Sequence, residues 1–186
     1  MNRILAFLVI AIASIASSRA DSPDGCDGVP DELQAPLAAL RKPAIAIAAH
    51  TNIQAAGMPL ALDEHYLVTL TPENQVAFIV LPTRPARGEH PHGGILYFDV
   101  EESGRYRFSL DTGHWIDVID SGDSLLDGKS ARHIDSVAHV DGDECTLLHK
   151  SVAFDLQAGI TYRVHLSGRD AARVNIVVTR EVATKR

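Results

Sequence analysis

The sequence has few cysteines, few aromatic residues and no excess of positive charge. Its 186 residues include two cysteines and one tryptophan, and aromatic side chains make up 5% of the chain. The formal net charge is −7, from 24 acidic and 17 basic residues. Binding to a nucleic acid backbone or to an anionic lipid surface requires clustered Lys and Arg. The composition therefore argues against both partners.

Long apolar runs are also missing. The longest covers the twelve residues 4–15, whereas a helix that crosses a bilayer needs about 20. Arg3 precedes this run, and Ser18 and Ala20 place small residues at the −3 and −1 positions of a cleavage site. We predict that residues 1–20 are an export signal and that the mature protein is periplasmic or secreted. An uncleaved anchor is the alternative.

The two cysteines, Cys26 and Cys145, both lie after the predicted signal. An even number of cysteines in an oxidising compartment favours a disulfide. Closing a loop of about 120 residues stabilises a fold by about 4–5 kcal/mol in the chain-entropy model. The alternative is a thiolate metal ligand or a reactive thiol.

From Tyr66 onward, apolar and polar residues alternate. The clearest example is 105–111, where Tyr106, Phe108 and Leu110 alternate with Arg, Ser and Asp, as in a half-buried strand. Further strands are predicted at 66–70, 76–80, 95–100 (apolar on both faces) and 115–119, and around Phe154, Val164 and Ile176. Short strands separated by turns predict an all-β, antiparallel, jelly-roll-like β-sandwich of about eight or nine strands.

The segment before the predicted sandwich has a different pattern. Leu33, Leu37 and Leu40 share one helical face, and Pro36 limits the helix to a turn or two. We divide the chain into a signal peptide (1–20), an N-terminal segment with a short helix (21–57) and a β-sandwich domain (58–186).

Motifs for catalysis are missing, and no residue is assigned a catalytic role. Residues 122–130 resemble a phosphate-binding loop, but five residues separate the two glycines where the motif needs four. The acidic stretch 117–127 lacks the spacing of a calcium loop, so we predict an exposed turn there. The sequence also contains no G-x-S-x-G motif of a serine hydrolase.

Histidine, by contrast, is abundant, with nine residues, all after position 20. His90 and His92 are two residues apart, so they face the same side of an extended segment. His139 and His149 flank Cys145. Imidazole binds Zn, Cu and Fe(II), so these four histidines are candidate ligands for a transition metal ion (Cu, Zn or Fe).

A non-haem Fe(II) site would need a carboxylate in addition to two histidines. Cupin-type sites place this carboxylate beyond the second histidine, with three or four residues between the two. Leu96 or Tyr97 occupies that place here, and Asp99 and Glu101 come later. An aromatic-ring dioxygenase is therefore the less favoured alternative.

Two stretches together resemble a known group of proteins. They are G-R-Y-R-F-S-L-D-T-G-H-W-I-D-V-I at 104–119 and H-V-D-G-D-E-C-T-L-L-H-K at 139–150, which runs on to Gly159. They resemble an uncharacterised family of small exported Gram-negative bacterial β-sandwich proteins, sometimes labelled homogentisate dioxygenase-like. The family pattern also includes an early cysteine, which Cys26 would supply.

The resemblance implies a role for matching positions in this sequence. On this basis Trp115, Asp117, His139 and Lys150 are candidate binding residues. A more distant similarity, to the sandwich domains of secreted peptidases, concerns the fold and says little about function.

The sequence therefore predicts an exported, non-enzymatic β-sandwich that acts as a binding or accessory module. Its partner would be a small ligand or a protein, and we expect neither nucleic acid binding nor membrane insertion after signal cleavage. The alternatives are a periplasmic histidine-based Cu or Zn binding protein and the Fe(II) dioxygenase.

Overall fold

A computed structural model describes residues 25–26, 28–53, 57–120, 131–142 and 145–181. The predicted signal peptide and residues 121–130 lie outside the described residues. The exposed turn predicted at 117–127 was wrong for residues 117–120, which belong to a strand in which Asp117 and Asp120 are buried. No helix in the described ranges is long and apolar enough to cross a membrane.

The described chain consists of two β-sheets and a short N-terminal helix, as predicted for an all-β sandwich. The strands are β1 (Ile45–Ala48), β2 (Tyr66–Thr69), β3 (Thr71–Pro72), β4 (His92–Asp99), β5 (Gly104–Leu110), β6 (Trp115–Asp120), β7 (Arg132–Ile134), β8 (Ser136–Asp141), β9 (Lys150–Leu156), β10 (Thr161–Arg169) and β11 (Arg173–Arg180). A 3₁₀ turn, Asp31–Leu33, leads into helix α1 (Gln34–Leu40), and a second 3₁₀ turn is Glu73–Gln75.

The first sheet has the order β1-β2-β11-β5-β9-β8, and the second has the order β3-β4-β10-β6-β7. β1 and β2 are parallel, and the other pairs are antiparallel. The structure has eleven strands where eight or nine were expected, and β1, β3, β7 and β8 were not among the predicted segments. β3 and β7 have only two and three residues, too few to show a period.

Aromatic residues from both sheets form the core between them. Tyr106, Phe108 and Leu110 are at most 2% exposed, as their alternation predicts. Phe108 packs edge-on against Phe98 of the second sheet and Phe154 of β9, with ring centroids 5.5 and 5.8 Å apart. This packing joins the two sheets and fixes the inward face of every strand around it.

The outer face of the first sheet is more buried than the alternation predicts. We expected Arg107 and Ser109 to face water, but both are buried. Ser109 lies opposite Val177, which packs with helix α1 and the disulfide in a second apolar cluster. The sequence prediction was wrong here because helix α1 and the disulfide, which are distant from β5 in the sequence, cover this face of the sheet. Arg107 forms an ion pair with Glu181.

The predicted disulfide between Cys26 and Cys145 is present. It connects the segment before helix α1 to the turn between β8 and β9, and it joins residues 119 positions apart. The N-terminal segment is also tied to the sandwich by β1, which pairs along its full length with β2.

The strand predicted at 76–80 is absent, and this expectation was wrong. The chain from Val76 to Pro91 is irregular and lies against the outer face of the second sheet, where the Phe78 ring is 4.9 Å from the ring of His165. His50 and Leu60 form backbone hydrogen bonds to the edge of β4. The His50 ring also lies 5.4 Å from the ring of Tyr97 on this face, and the Tyr97 hydroxyl donates to the carbonyl of Ile53. The cover explains why β4 is apolar on both sides, as predicted.

Candidate functional site

A cleft of about 450 Å³ lies where the last strands of the two sheets meet. The chain passes from β7 in the second sheet to β8 in the first through the single residue Asp135. β7 pairs only with Val118–Asp120, so within the described chain Trp115–Asp117 has no strand beside it on that edge. The short β7 strand therefore leaves an opening between the sheets next to Trp115.

All four candidate binding residues line this cleft. Trp115 and Asp117 come from β6, His139 from β8 and Lys150 from β9. The remaining lining residues are Thr83, Arg84, Ile116, His133, Ile134, Asp135, Ser136, Asp141, Val152 and Phe154. Residues separated by up to 71 positions in sequence thus surround one cavity.

Asp117 fixes the geometry of the cleft wall. Its carboxylate is 5% exposed and accepts hydrogen bonds from the Thr83 amide (3.0 Å), the Thr83 hydroxyl (2.6 Å) and the Trp115 indole Nε1 (3.1 Å). These bonds attach the irregular segment around Thr83 to β6 and hold the indole in one orientation. Asp117 is therefore a positioning residue for Trp115.

Two cationic side chains lie over the Trp115 ring. The Arg84 guanidinium carbon is 5.1 Å from the ring centroid, and the Lys150 Nζ is 4.9 Å from it. Both distances are within the range of a cation–π interaction. Lys150 also donates a hydrogen bond to the carbonyl of His114 (3.4 Å). Burial lowers the pKa of Lys150, and the nearby Asp141 partly opposes this effect.

The second titratable group beside Asp117 is His133. Its Nδ1 is 3.6 Å from Asp117 Oδ1, too far for a hydrogen bond, and it has no other hydrogen-bond partner in the described part of the chain. The hydroxyl of Thr83, which also lines the cleft, donates to Asp117 rather than to the imidazole. Within the described part of the chain, no hydroxyl or thiol is hydrogen-bonded to His133 Nδ1.

The candidate metal ligands do not assemble into a site in the described ranges. Of the four histidines, only His139 lines the cleft, and His90 and His149 are exposed. Among the described residues, no group of three or more His, Cys, Asp or Glu side chains could hold a metal ion. Cys145 is bonded to Cys26, so it is not a thiolate ligand.

The carboxylate considered for an Fe(II) site is also remote. His92 and Asp99 are the two ends of β4, seven residues apart, which is about 23 Å along an extended strand. Asp99 instead accepts a hydrogen bond from Thr161. The dioxygenase alternative therefore has no support from this geometry.

Sequence reasoning missed two residues that the fold brings to Trp115. They are Thr83 and Arg84, which lie in the long connection before β4. The only sequence signal for this connection was the pair of arginines, Arg84 and Arg87, within an acidic chain.

Comparison with known proteins gave no match to a family model, a curated protein or a solved structure. The feature of the molecule that points to a function is the cleft, in which a buried carboxylate holds the single tryptophan and two cations lie over its ring.

Proposed function

We propose that this protein is a non-catalytic β-sandwich binding module that takes a small organic ligand in the cleft beside Trp115. The observation that carries the proposal is the convergence of Trp115, Asp117, His139 and Lys150 on one cavity. A volume of about 450 Å³ is within the 300–1,000 Å³ range of small-molecule sites.

The lining of the cleft suits such a ligand. Ile116, Ile134, Val152 and Phe154 supply apolar surface, and Trp115 adds a flat aromatic one. Most small-molecule sites combine this kind of surface with a few polar groups that fix the orientation of the ligand. Here the polar groups include the Lys150 ammonium and the ring nitrogens of the exposed His139.

Binding is favoured over catalysis because the polar groups already have structural roles. All three hydrogen bonds to the Asp117 carboxylate hold Thr83 and Trp115 in place. His133 has no hydroxyl or thiol bonded to it within the described chain, so a nucleophile with an activating base is missing there. The arrangement is that of a preformed recognition surface.

We also propose that the protein works outside the cytoplasm, in the periplasm or as a secreted protein. The Cys26–Cys145 disulfide supports this location, because structural disulfides persist in oxidising compartments. The apolar run followed by small residues before position 21 supports it independently.

Trp115 fluorescence tests the proposed site, since this is the only tryptophan in the chain. The chain from residue 21 would be titrated with benzoate, phenyl phosphate, benzyl alcohol, benzylamine and methyl glucoside. We expect at least one compound to shift the emission with a saturating curve below millimolar concentration. An emission spectrum that none of the five changes up to about 10 mM would overturn the proposal.

A matched pair of histidine variants locates the binding. His139→Ala removes an exposed imidazole that lines the cleft, whereas His149→Ala removes an exposed one that does not. We expect the first change to weaken binding and the second to leave it unchanged. Equal effects would place the ligand elsewhere on the molecule.

A further inference from the structure

A second, smaller cleft adjoins the first at Trp115. It has a volume of about 220 Å³ and shares Arg84, Trp115 and Lys150 with the larger cleft. Its other charged lining residues are Arg87 and Arg169. Among the described residues, four cationic side chains and no carboxylate line this small cavity, in a chain whose net charge is −7.

None of the four cations is neutralised by an ion pair with a described residue. Arg169 donates from Nε to the carbonyl of Gly113 (2.9 Å), and Lys150 donates to the carbonyl of His114. Bonds to neutral carbonyls orient the two side chains but leave their charge uncompensated. Arg84 and Arg87 are exposed, and the Arg84 guanidinium lies over the Trp115 ring.

Carboxylates lie beside the smaller cleft without lining it. Glu73 accepts the amide hydrogen of Gly168 (2.7 Å), a lining residue, and Asp170 accepts the amides of Glu89 and His90. Asp141 lies near Lys150 but lines only the larger cleft. Among the described residues, the charged side chains on the wall of the smaller cleft are therefore all cationic.

The backbone leaves room for these side chains. A Cβ atom added at Gly113 would lie 2.9 Å from Arg169 Nε, closer than real contacts allow, so glycine permits the arginine to pack against this turn. The buried His114 next to it has its pKa lowered to about 4, mainly by burial and further by the charges of Arg169 and Lys150. Both observations describe a built, positively charged pocket.

We propose that this cationic cleft binds the oxyanion, a carboxylate or phosphate group, of the small organic ligand whose body lies against Trp115. The inference rests on the proposed binding function and adds the chemical class of the ligand. Arginine side chains suit this task, because the planar guanidinium donates two parallel hydrogen bonds to a carboxylate or phosphate. The ligand is therefore a small organic anion, with its charged group between Arg87 and Arg169.

Pairs of probes with the same ring and different charge test the inference by calorimetry at low ionic strength. Benzoate is compared with benzamide, and phenyl phosphate with benzyl alcohol. We expect each anion to bind at least tenfold more tightly than its uncharged counterpart, and we expect the affinity to fall as salt is added. The two anions also distinguish a carboxylate from a phosphate preference.

Arginine variants then test the assignment of residues. Arg87→Gln and Arg169→Gln should each weaken anion binding by about tenfold. Arg173→Gln makes the same charge change at an exposed arginine outside both clefts and should have no effect. If Arg169→Gln unfolds the protein, the exposed Arg87 still provides the test.

The outcomes separate this inference from the proposed function. Equal affinity for charged and uncharged probes would overturn the anion inference and leave the Trp115 cleft as a binding site. Tight anion binding that survives both arginine changes would overturn it too. If no probe binds at all, the inference and the proposed function both fail.

Discussion

Lowering the pH from 7 to 4.5 should destabilise this protein strongly, because two histidines are buried in the neutral form. His165 is fully buried against Phe78, and neither ring nitrogen has a hydrogen-bond partner in the described chain. Burial, helped by the charges of His133 and Arg163, lowers its pKa to about 3. Burial likewise lowers the pKa of His114 to about 4.

The unfolded chain takes up these two protons near the ordinary histidine pKa of about 6.5, whereas the folded chain resists them. The contribution of the two neutral histidines to the free energy of unfolding is therefore fully present above pH 6.5, and it is lost as the pH drops below this value. At about 1.4 kcal/mol per pH unit, each histidine lowers the free energy of unfolding by about 3 kcal/mol between pH 6.5 and pH 4.5. The sum of about 5–6 kcal/mol is a large part of the 5–15 kcal/mol of a typical domain.

Urea denaturation between pH 7 and 4.5 measures this effect. The His165→Leu variant shows how much of the effect comes from His165. Between pH 7 and 4.5, the free energy of unfolding of the variant should fall by about half as much as that of the wild type. At pH 7 it should be at least as stable as the wild type, because two unpartnered buried nitrogens are removed. His149→Gln, at an exposed site, is the control. A decline of unchanged size in His165→Leu would refute the reasoning.

Four further outcomes follow from the structure. Free-thiol labelling of the denatured, unreduced protein should find no thiol, and replacing Cys26 and Cys145 by Ser should lower the free energy of unfolding by about 4–5 kcal/mol. Phe108→Ala should lower it by about 3–5 kcal/mol, whereas Leu81→Ala, at a residue 80% exposed, should leave the urea midpoint unchanged. Thr83→Val removes a hydroxyl that bonds to the carboxylate holding the tryptophan, so the emission maximum should shift to longer wavelength. Tag-free protein titrated with Cu(II), Zn(II) and Fe(II) should show only millimolar affinity, and stoichiometric binding would favour the histidine alternative.

The sequence predicted those parts of the fold that depend on local alternation. Phe108 could be placed in the core because its neighbours two positions away are also large and apolar. The same rule was wrong for residues 76–80, because a segment that packs on the face of a sheet also alternates. It was wrong for Arg107 as well, since its ion-pair partner, Glu181, comes 74 positions later in the chain.

The candidate site was predictable only in part for a similar reason. Trp115, Asp117, His139 and Lys150 were selected from the sequence, but their arrangement depends on pairing between distant strands. Arg84 and Arg169 are 85 positions apart and meet only because the irregular segment crosses the face of the second sheet. No local pattern carries that information.

The indole N–H resonance of Trp115 gives the most direct test of the central claim, that the clefts beside this side chain hold a small anionic ligand. A protein with one tryptophan shows one such signal in a ¹⁵N–¹H correlation spectrum, and this N–H donates to Asp117 and Thr83 in the cleft wall. Addition of phenyl phosphate should move the signal along a saturating curve. An indole signal that stays fixed while amides far from the clefts move would contradict the account.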